Sequence, residues 1–232
     1  MKANSNKLYH LGIGSPVAIS TLTRANESRS YRIYEDLAML LINEAKQLYL
    51  NDNKLDINLK GNVFAIDTTT IDLCLSTFYW ATFRSTKGGI KLHTQLDLKT
   101  AIPEFILFTN ASVHDVNALD YISFEANSFY VMDRGYVDYK RIYKIDQCDA
   151  FFVTRSKDGM NFRRLYSHPK DASNGVLFDQ TILFNNYQSA KGYPKKIRRI
   201  KFRDDKSGKT FIFLSNNFHV EATEIALLYK YR

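Results

Sequence analysis

The sequence predicts an α/β fold with strands and helices mixed in layers, and three observations predict it. The first third has helical spacing of its apolar residues. At Val63 the period changes to short β-rich runs. Helical patterns then return between some of those runs, which is the alternation of a layered sheet. Taken in order, Ser30 can N-cap a helix that runs to about Leu50, with Ile33, Leu37, Leu40, Leu41 and Leu48 on one stripe. "NDNKLDINLKGN" breaks that pattern as a loop. "VFAI", "IKLHTQL", "EFILF", "SFYVM" and "AFFVT" follow as strands, with helices expected at about 115–126 and 138–147. After Thr154 only strands are expected, in "NFRRLYS", "QTILFN", "KKIRRIKF" and "KTFIFLSN", before a helix in "EATEIALLYKYR". The expected organisation is a helical segment 1–60, a core 61–154, a β-rich insertion 155–218 and a closing helix 219–232.

Composition narrows the function. An apolar fraction of 45% with 14% aromatics sustains a packed core and excludes a wholly disordered chain. No apolar run approaches the ~18 residues of a membrane span. The N-terminus "MKANSNKLYH" has no apolar core of a signal peptide, so a cytoplasmic chain with no membrane partner is expected. Cys74 and Cys148 read as buried free thiols of a reducing compartment. The histidines do not have zinc-ligand spacing. The formal net charge is +8, and residues 191–209 hold nine Lys/Arg against Asp204 and Asp205, a net +7. A surplus so concentrated is either a charged edge strand or a surface for phosphates, and it favours a polyanionic partner such as nucleic acid.

Two acids stand out. Asp is disfavoured inside strands, yet "VFAID" and "FYVMD" each end an apolar run on Asp, at Asp67 and Asp133. One such Asp is ordinarily a turn former. Two can bring their carboxylates together on neighbouring strands, where they repel unless a cation lies between them. Mg²⁺ suits such a pair, because it takes one or two carboxylates together with water and substrate phosphates. Paired acids and basic charge together point to phosphodiester chemistry.

"GGIKLHTQLDLKTAIPEFILFTNASVHDVNALDYI" followed by "SFYVMDRGYVDYKRIY" resembles the catalytic core of bacterial insertion-sequence transposases of the DDE superfamily, in the class marked by a Tyr-Arg-Glu-Lys signature. "TLTRANESRSYRIYEDL" is similar to the segment ahead of that core. The resemblance covers Leu8 to Arg232, apparently truncated at both ends, and is weakest in the β-rich stretch. It implies an RNase H-like mixed sheet, two-metal phosphoryl transfer with Mg²⁺ or Mn²⁺, and double-stranded DNA at transposon ends and target. It also implies a homodimer in the synaptic complex and a bacterial, nucleoid-associated location. Asp67 matches the first catalytic acid. Asp133 matches the second, within an Asp-x-Gly-Tyr pattern formed with Gly135 and Tyr136. Tyr229 and Arg232 match the first half of Tyr-x-x-Arg-x-x-x-Glu, whose Glu falls four residues beyond Arg232. Without that Glu the chain reads as part of an active transposase or as an inactive DNA-binding remnant that regulates an intact one.

DNA contacts are expected from Lys195, Lys196, Arg198, Arg199, Lys201 and Arg203 of the basic run, and from Arg134 beside Asp133. Lys87 and Lys91 read as solvated. His93 reads as a satisfied histidine, Asp115 as a helix cap and Trp80 as core. Glu221 and Glu224 are rival third acids, but both precede the Tyr-x-x-Arg pair.

Overall fold

The computed structural model describes residues 17–49, 59–84, 87–169 and 172–232, together with Lys7, His10, Gly12, Gly14, Leu55 and Ile57. The chain divides into two compact units, Met1–Leu48 and Tyr49–Arg232. The first holds α1 (Ile19–Ser28) and α2 (Arg32–Leu48). The Ser30 hydroxyl accepts from the Arg32 amide at 3.3 Å, where the cap was expected. The stripe Ile33, Leu37, Leu40, Leu41 and Leu48 exists but is exposed. Half of the loop expected over 51–62 lies outside the described residues.

The second unit is built on one sheet. Its strands are β1 (Val63–Leu73), β2 (Thr82–Arg84), β3 (Lys87–Asp97), β4 (Pro103–Asn110), β5 (Phe129–Met132), β6 (Phe151–Arg155), β7 (Phe162–Ser167), β8 (Val176–Phe184), β9 (Ile197–Arg203) and β10 (Thr210–Ser215). They lie in the order β2-β3-β1-β5-β6-β10-β9-β8-β7, with β4 paired to β3. β1, β5 and β6 are parallel neighbours, and the hairpin partners on both sides are antiparallel. With flanking helices this is the mixed sheet of an RNase H-like α/β fold. The stretch after Thr154, expected to hold strands only, also carries a short helix at Tyr187–Gly192, and its strands continue the same sheet, because β10 pairs with β6 through Ser215 and Val153.

Every strand expected from the pattern forms, and β1 runs further than its apolar stretch. It stays paired to β3 as far as Leu73, while its parallel partner β5 stops at Met132. The helices are α3 (Tyr139–Gln147), α4 (Tyr187–Gly192) and α5 (Ala222–Tyr231). Asp138 caps α3 by accepting from the Arg141 amide at 3.0 Å. The helix expected at 115–126 is only a 3-10 segment, Asp115–Asp120. There Asp115 does not cap; it pairs with Lys91 at 2.8 Å, so Lys91 is not a solvated lysine.

The sheet has a core on each face. Phe64, Ile66, Tyr130, Met132 and Phe152 pack on one side with Tyr136, Ile142 and Ile145. Val63, Ala65, Phe129, Val131 and Val153 pack on the other with Ile225, Ala226 and Leu228 of α5. The alternation follows from the two-residue side-chain period of a strand, and a strand buried on both faces reads as a continuous apolar run. Trp80 departs from expectation at 58% exposed, beyond the pleated part of the sheet. Cys74 and Cys148 are free but exposed, in the turn after β1 and at the end of α3. Gly61 enters β1 with φ +98°, and a Cβ there would stand 2.3 Å from the carbonyl oxygen of Asn127. Gly61→Ala should therefore lower unfolding stability by about 1–3 kcal/mol, read as a fall in thermal midpoint.

Candidate active site

The register of the parallel strands builds the site. Val63 pairs with Phe129 and Ile66 with Met132. The next position on each strand is Asp67 and Asp133, so two backbones spaced about 4.8 Å apart present an acid at the same level. Their parity is that of Val63, Ala65, Phe129 and Val131, the residues that face α5. Asp67 is not at the end of β1, as the sequence suggested. It lies where parallel pairing stops and burial gives way to exposure.

Asp133 is held from two sides. Its Oδ1 accepts from the Gly135 amide at 2.7 Å, and its carbonyl accepts from the Thr154 hydroxyl at 3.0 Å. A Cβ on residue 135 would stand 2.9 Å from that same Oδ1, which gives Gly135 a steric reason. Beneath the pair, the hydroxyls of Tyr136 and Thr68 share a short hydrogen bond. Thr68 also bonds His93 Nδ1 at 2.7 Å, and His93 Nε2 bonds Thr109 at 2.8 Å. Thr68 follows Asp67 and Tyr136 follows Asp133 by three, so this buried chain ties the two acid-bearing segments together. Burial, with the carboxylates of Asp115, Asp67 and Asp133 nearby, pushes the Tyr136 phenol above its ordinary value and keeps it protonated. Burial lowers the pKa of His93, so its ring is a neutral bridge, satisfied as expected.

α5 delivers the rest. Ile225 and Leu228 are fully buried against the sheet, which fixes the rotation of the helix. Tyr229 packs on Phe213 with ring centroids 5.1 Å apart. The Arg232 guanidinium lies 5.3 Å from the Tyr229 ring centre and reaches Asp67 Oδ1 at 3.4 Å. Arg232 thus meets Asp67, with Asp133 in register beside it, while Tyr229 packs over β10. Glu221 and Glu224 do not reach this end, since Glu221 precedes the first residue of α5 and Glu224 lies about 12 Å along the axis from Arg232. Among the described residues no three His, Cys, Asp or Glu side chains form a metal-ion group.

A family model described as the transposase DDE domain matches residues 58–232. The chain belongs to the DDE-domain transposase family. It is 27% identical over 215 residues to a protein of Sinorhizobium fredii named as transposase y4zB, covering 91% of this chain and 58% of that protein. It is 23% identical over 215 residues to a protein of Geobacillus stearothermophilus named as a transposase for insertion sequence element IS5377, covering 92% of this chain and 55% of that protein. The chain spans a little over half the length of these curated relatives.

The basic residues expected at DNA divide by position in this DDE domain. Lys195 and Lys196 sit beyond the amino end of β6, away from the acids, and Lys195 pairs with Asp146 at 2.5 Å. Arg198 requires a correction. Its side chain is 7% exposed, it pairs with Asp179 at 2.7 Å, and it donates to the Asn217 and Val220 carbonyls. Buried and fully engaged, it cannot reach DNA; it anchors the turn that leads into α5. Arg199 is stacked between Phe162 and Phe178, 4.7 and 4.5 Å from their ring centres. Lys201 lies over Phe178 at 6.0 Å, and Arg203 is exposed at the end of β9. Arg134 is half exposed and leans 3.4 Å from Asp158, not onto Asp133.

Arg232 sets a testable electrostatic condition. A cation at the Asp67–Asp133 pair must tolerate the guanidinium beside Asp67. At a separation of roughly 6 Å in water, a unit charge repels a divalent ion by about 1.4 kcal/mol. Arg232→Gln should therefore tighten Mn²⁺ binding by this chain about tenfold, measured by titration calorimetry.

Proposed function

We propose that this chain supplies the first two catalytic acids and the arginine of a DNA transposase. The enzyme cleaves a phosphodiester at the end of an insertion sequence and joins the freed 3′ hydroxyl to target DNA. The observation that supports this reading is the adjacency of Asp67 and Asp133 in register, on the sheet face that α5 covers. The Oδ2 atom of each acid takes no hydrogen bond among the described residues, which suits a hard cation. Mg²⁺ or Mn²⁺, bound there, supplies charge stabilisation for phosphoryl transfer by the two-metal scheme. Asp67 and Asp133 hold that charge at a fixed spacing. Arg232 swings from Asp67 to a phosphate oxygen, and neutral Tyr136 braces the floor. No side-chain nucleophile takes part. The partner is double-stranded DNA, and two copies act on paired ends in the bacterial cytoplasm at the nucleoid. Among the described residues no helix is long and apolar enough to cross a membrane.

The test is cleavage of terminal-repeat DNA with Mg²⁺ by the complete protein that contains this chain, against the same protein with Asp67→Asn or Asp133→Asn. Persistent cleavage in either variant would remove the site assignment. A second reading, a DNA-binding regulator without catalysis, is favoured by the net charge of +8, which suits DNA whether or not it is cut. Robust Mg²⁺-dependent nicking by the 232-residue chain alone would sink it.

A further inference from the structure

At the carboxyl end of β6 a cleft of about 330 Å³ is lined by Arg134, Arg155, Lys157 and Arg199, with Phe162 and Phe211. That is the room of roughly ten waters, enough for a phosphate group with part of its sugar. The register sets its distance from the acids. Met132 pairs with Thr154, so Arg155 stands one position further on, in line with Asp133 and Asp67. The Arg155 guanidinium is stacked 5.2 Å from the Phe211 ring centre. Lys157 is pinned by donating to the Val137 carbonyl at 2.8 Å, which leaves two ammonium hydrogens for a ligand. Arg199 borders the cleft from the other face of the sheet, since it pairs with Leu214 while Arg155 pairs with Phe213; it sits between two phenylalanine rings, and its buried Nε has no hydrogen-bond partner. Against these four cations the wall holds one carboxylate, Asp158, whose side chain is 99% exposed.

Cations gathered in a concave site without matching acids raise one another's cost until an anion enters. The guanidinium fork of Arg155, at the end of β6, suits a tetrahedral oxyanion better than a single lysine does. We propose that this cleft holds a backbone phosphate of DNA, the neighbour along the strand of the phosphate that reacts at Asp67 and Asp133. Phe211, on the face of Arg155, covers its deoxyribose. This rests on the DNA reading above and assigns the strand's path past the acids to Arg155 and Lys157, which lie outside the basic run of 191–209.

The experiment is duplex-DNA binding by this chain, followed by fluorescence anisotropy between about 50 and 200 mM salt, where each lost phosphate contact lowers the log–log slope by ~0.9. Arg155→Gln and Lys157→Gln should each lower the slope by about that amount. Lys60→Gln, an exposed charge ahead of β1 at the opposite end of the sheet, should leave it unchanged. Circular dichroism monitors folding. If Arg155→Gln unfolds the chain, the exposed loop residue Lys157 still gives the reading. Equal slopes for Lys157→Gln and the parent overturn the cleft while leaving DNA binding intact, and so does an equal loss with Lys60→Gln. Failure of the parent chain to bind DNA at low salt overturns the DNA reading itself, and the cleft with it.

Discussion

Asp67→Asn and Asp133→Asn are each expected to lower Mg²⁺-dependent DNA cleavage by the complete protein by about 10³-fold or more, the scale on which a member of a catalytic unit is lost. The fold should survive both changes. Asp67 is largely exposed, and its one side-chain partner among the described residues is Arg232 at 3.4 Å, an exposed contact worth about 0–1 kcal/mol. Asn at 133 keeps an oxygen that can accept from the Gly135 amide, so the turn after β5 persists. Activity and stability should thus separate: thermal midpoints stay near the parent value while cleavage disappears. Mn²⁺ calorimetry gives a second readout, because losing one of two carboxylates halves the negative charge at the pair. A variant that cuts DNA normally would show that the reacting phosphate lies elsewhere.

Much of this site was legible because strands announce themselves by composition. Val63 to Ile66 and Phe129 to Met132 are apolar on successive residues, and in each the first polar residue is the acid. The family resemblance rests instead on the longer blocks from Gly88 to Tyr143, and the match over 58–232 supports it. What pattern could not show is what the acids rest on. Thr68, His93 and Thr109 look like ordinary strand residues, and only the pairing of Thr68 with His93 makes them a buried polar chain. The helix at 115–126 was misread because apolar spacing cannot tell a 3-10 turn tethered by Lys91 from an α-helix. Arg155 and Lys157 were missed for a related reason. They are isolated cations in sequence, and folding gathers them with Arg134 and Arg199, which lie 21 and 44 residues from Arg155. The basic run drew attention by its density, yet density along the chain says nothing about which side of a strand each charge takes.

Arg198 makes that last point measurable. Strand β9 alternates, so Arg198 shares the face of Ile200 and lies under the entry to α5, where a charge must be paired. Asp179 pairs with it, and the Asn217 and Val220 carbonyls take its remaining donors. Arg198→Met leaves Asp179 buried without its cation, which should cost about 3–5 kcal/mol. For a chain of this size that is a fall of roughly 6–20 °C in thermal midpoint. Asp179→Leu with Arg198→Met removes both charges and should recover most of the loss. About 1–3 kcal/mol should remain, for the carbonyls that lose a donor. A DNA-contact residue behaves the other way: its removal lowers the salt slope of DNA binding and leaves the melting curve alone. If Arg198→Met keeps the parent midpoint and weakens DNA binding, the burial assigned to Arg198 is wrong. If it melts early and the double variant recovers, this pair is what fixes the start of α5, and through the helix the position of Arg232 against Asp67.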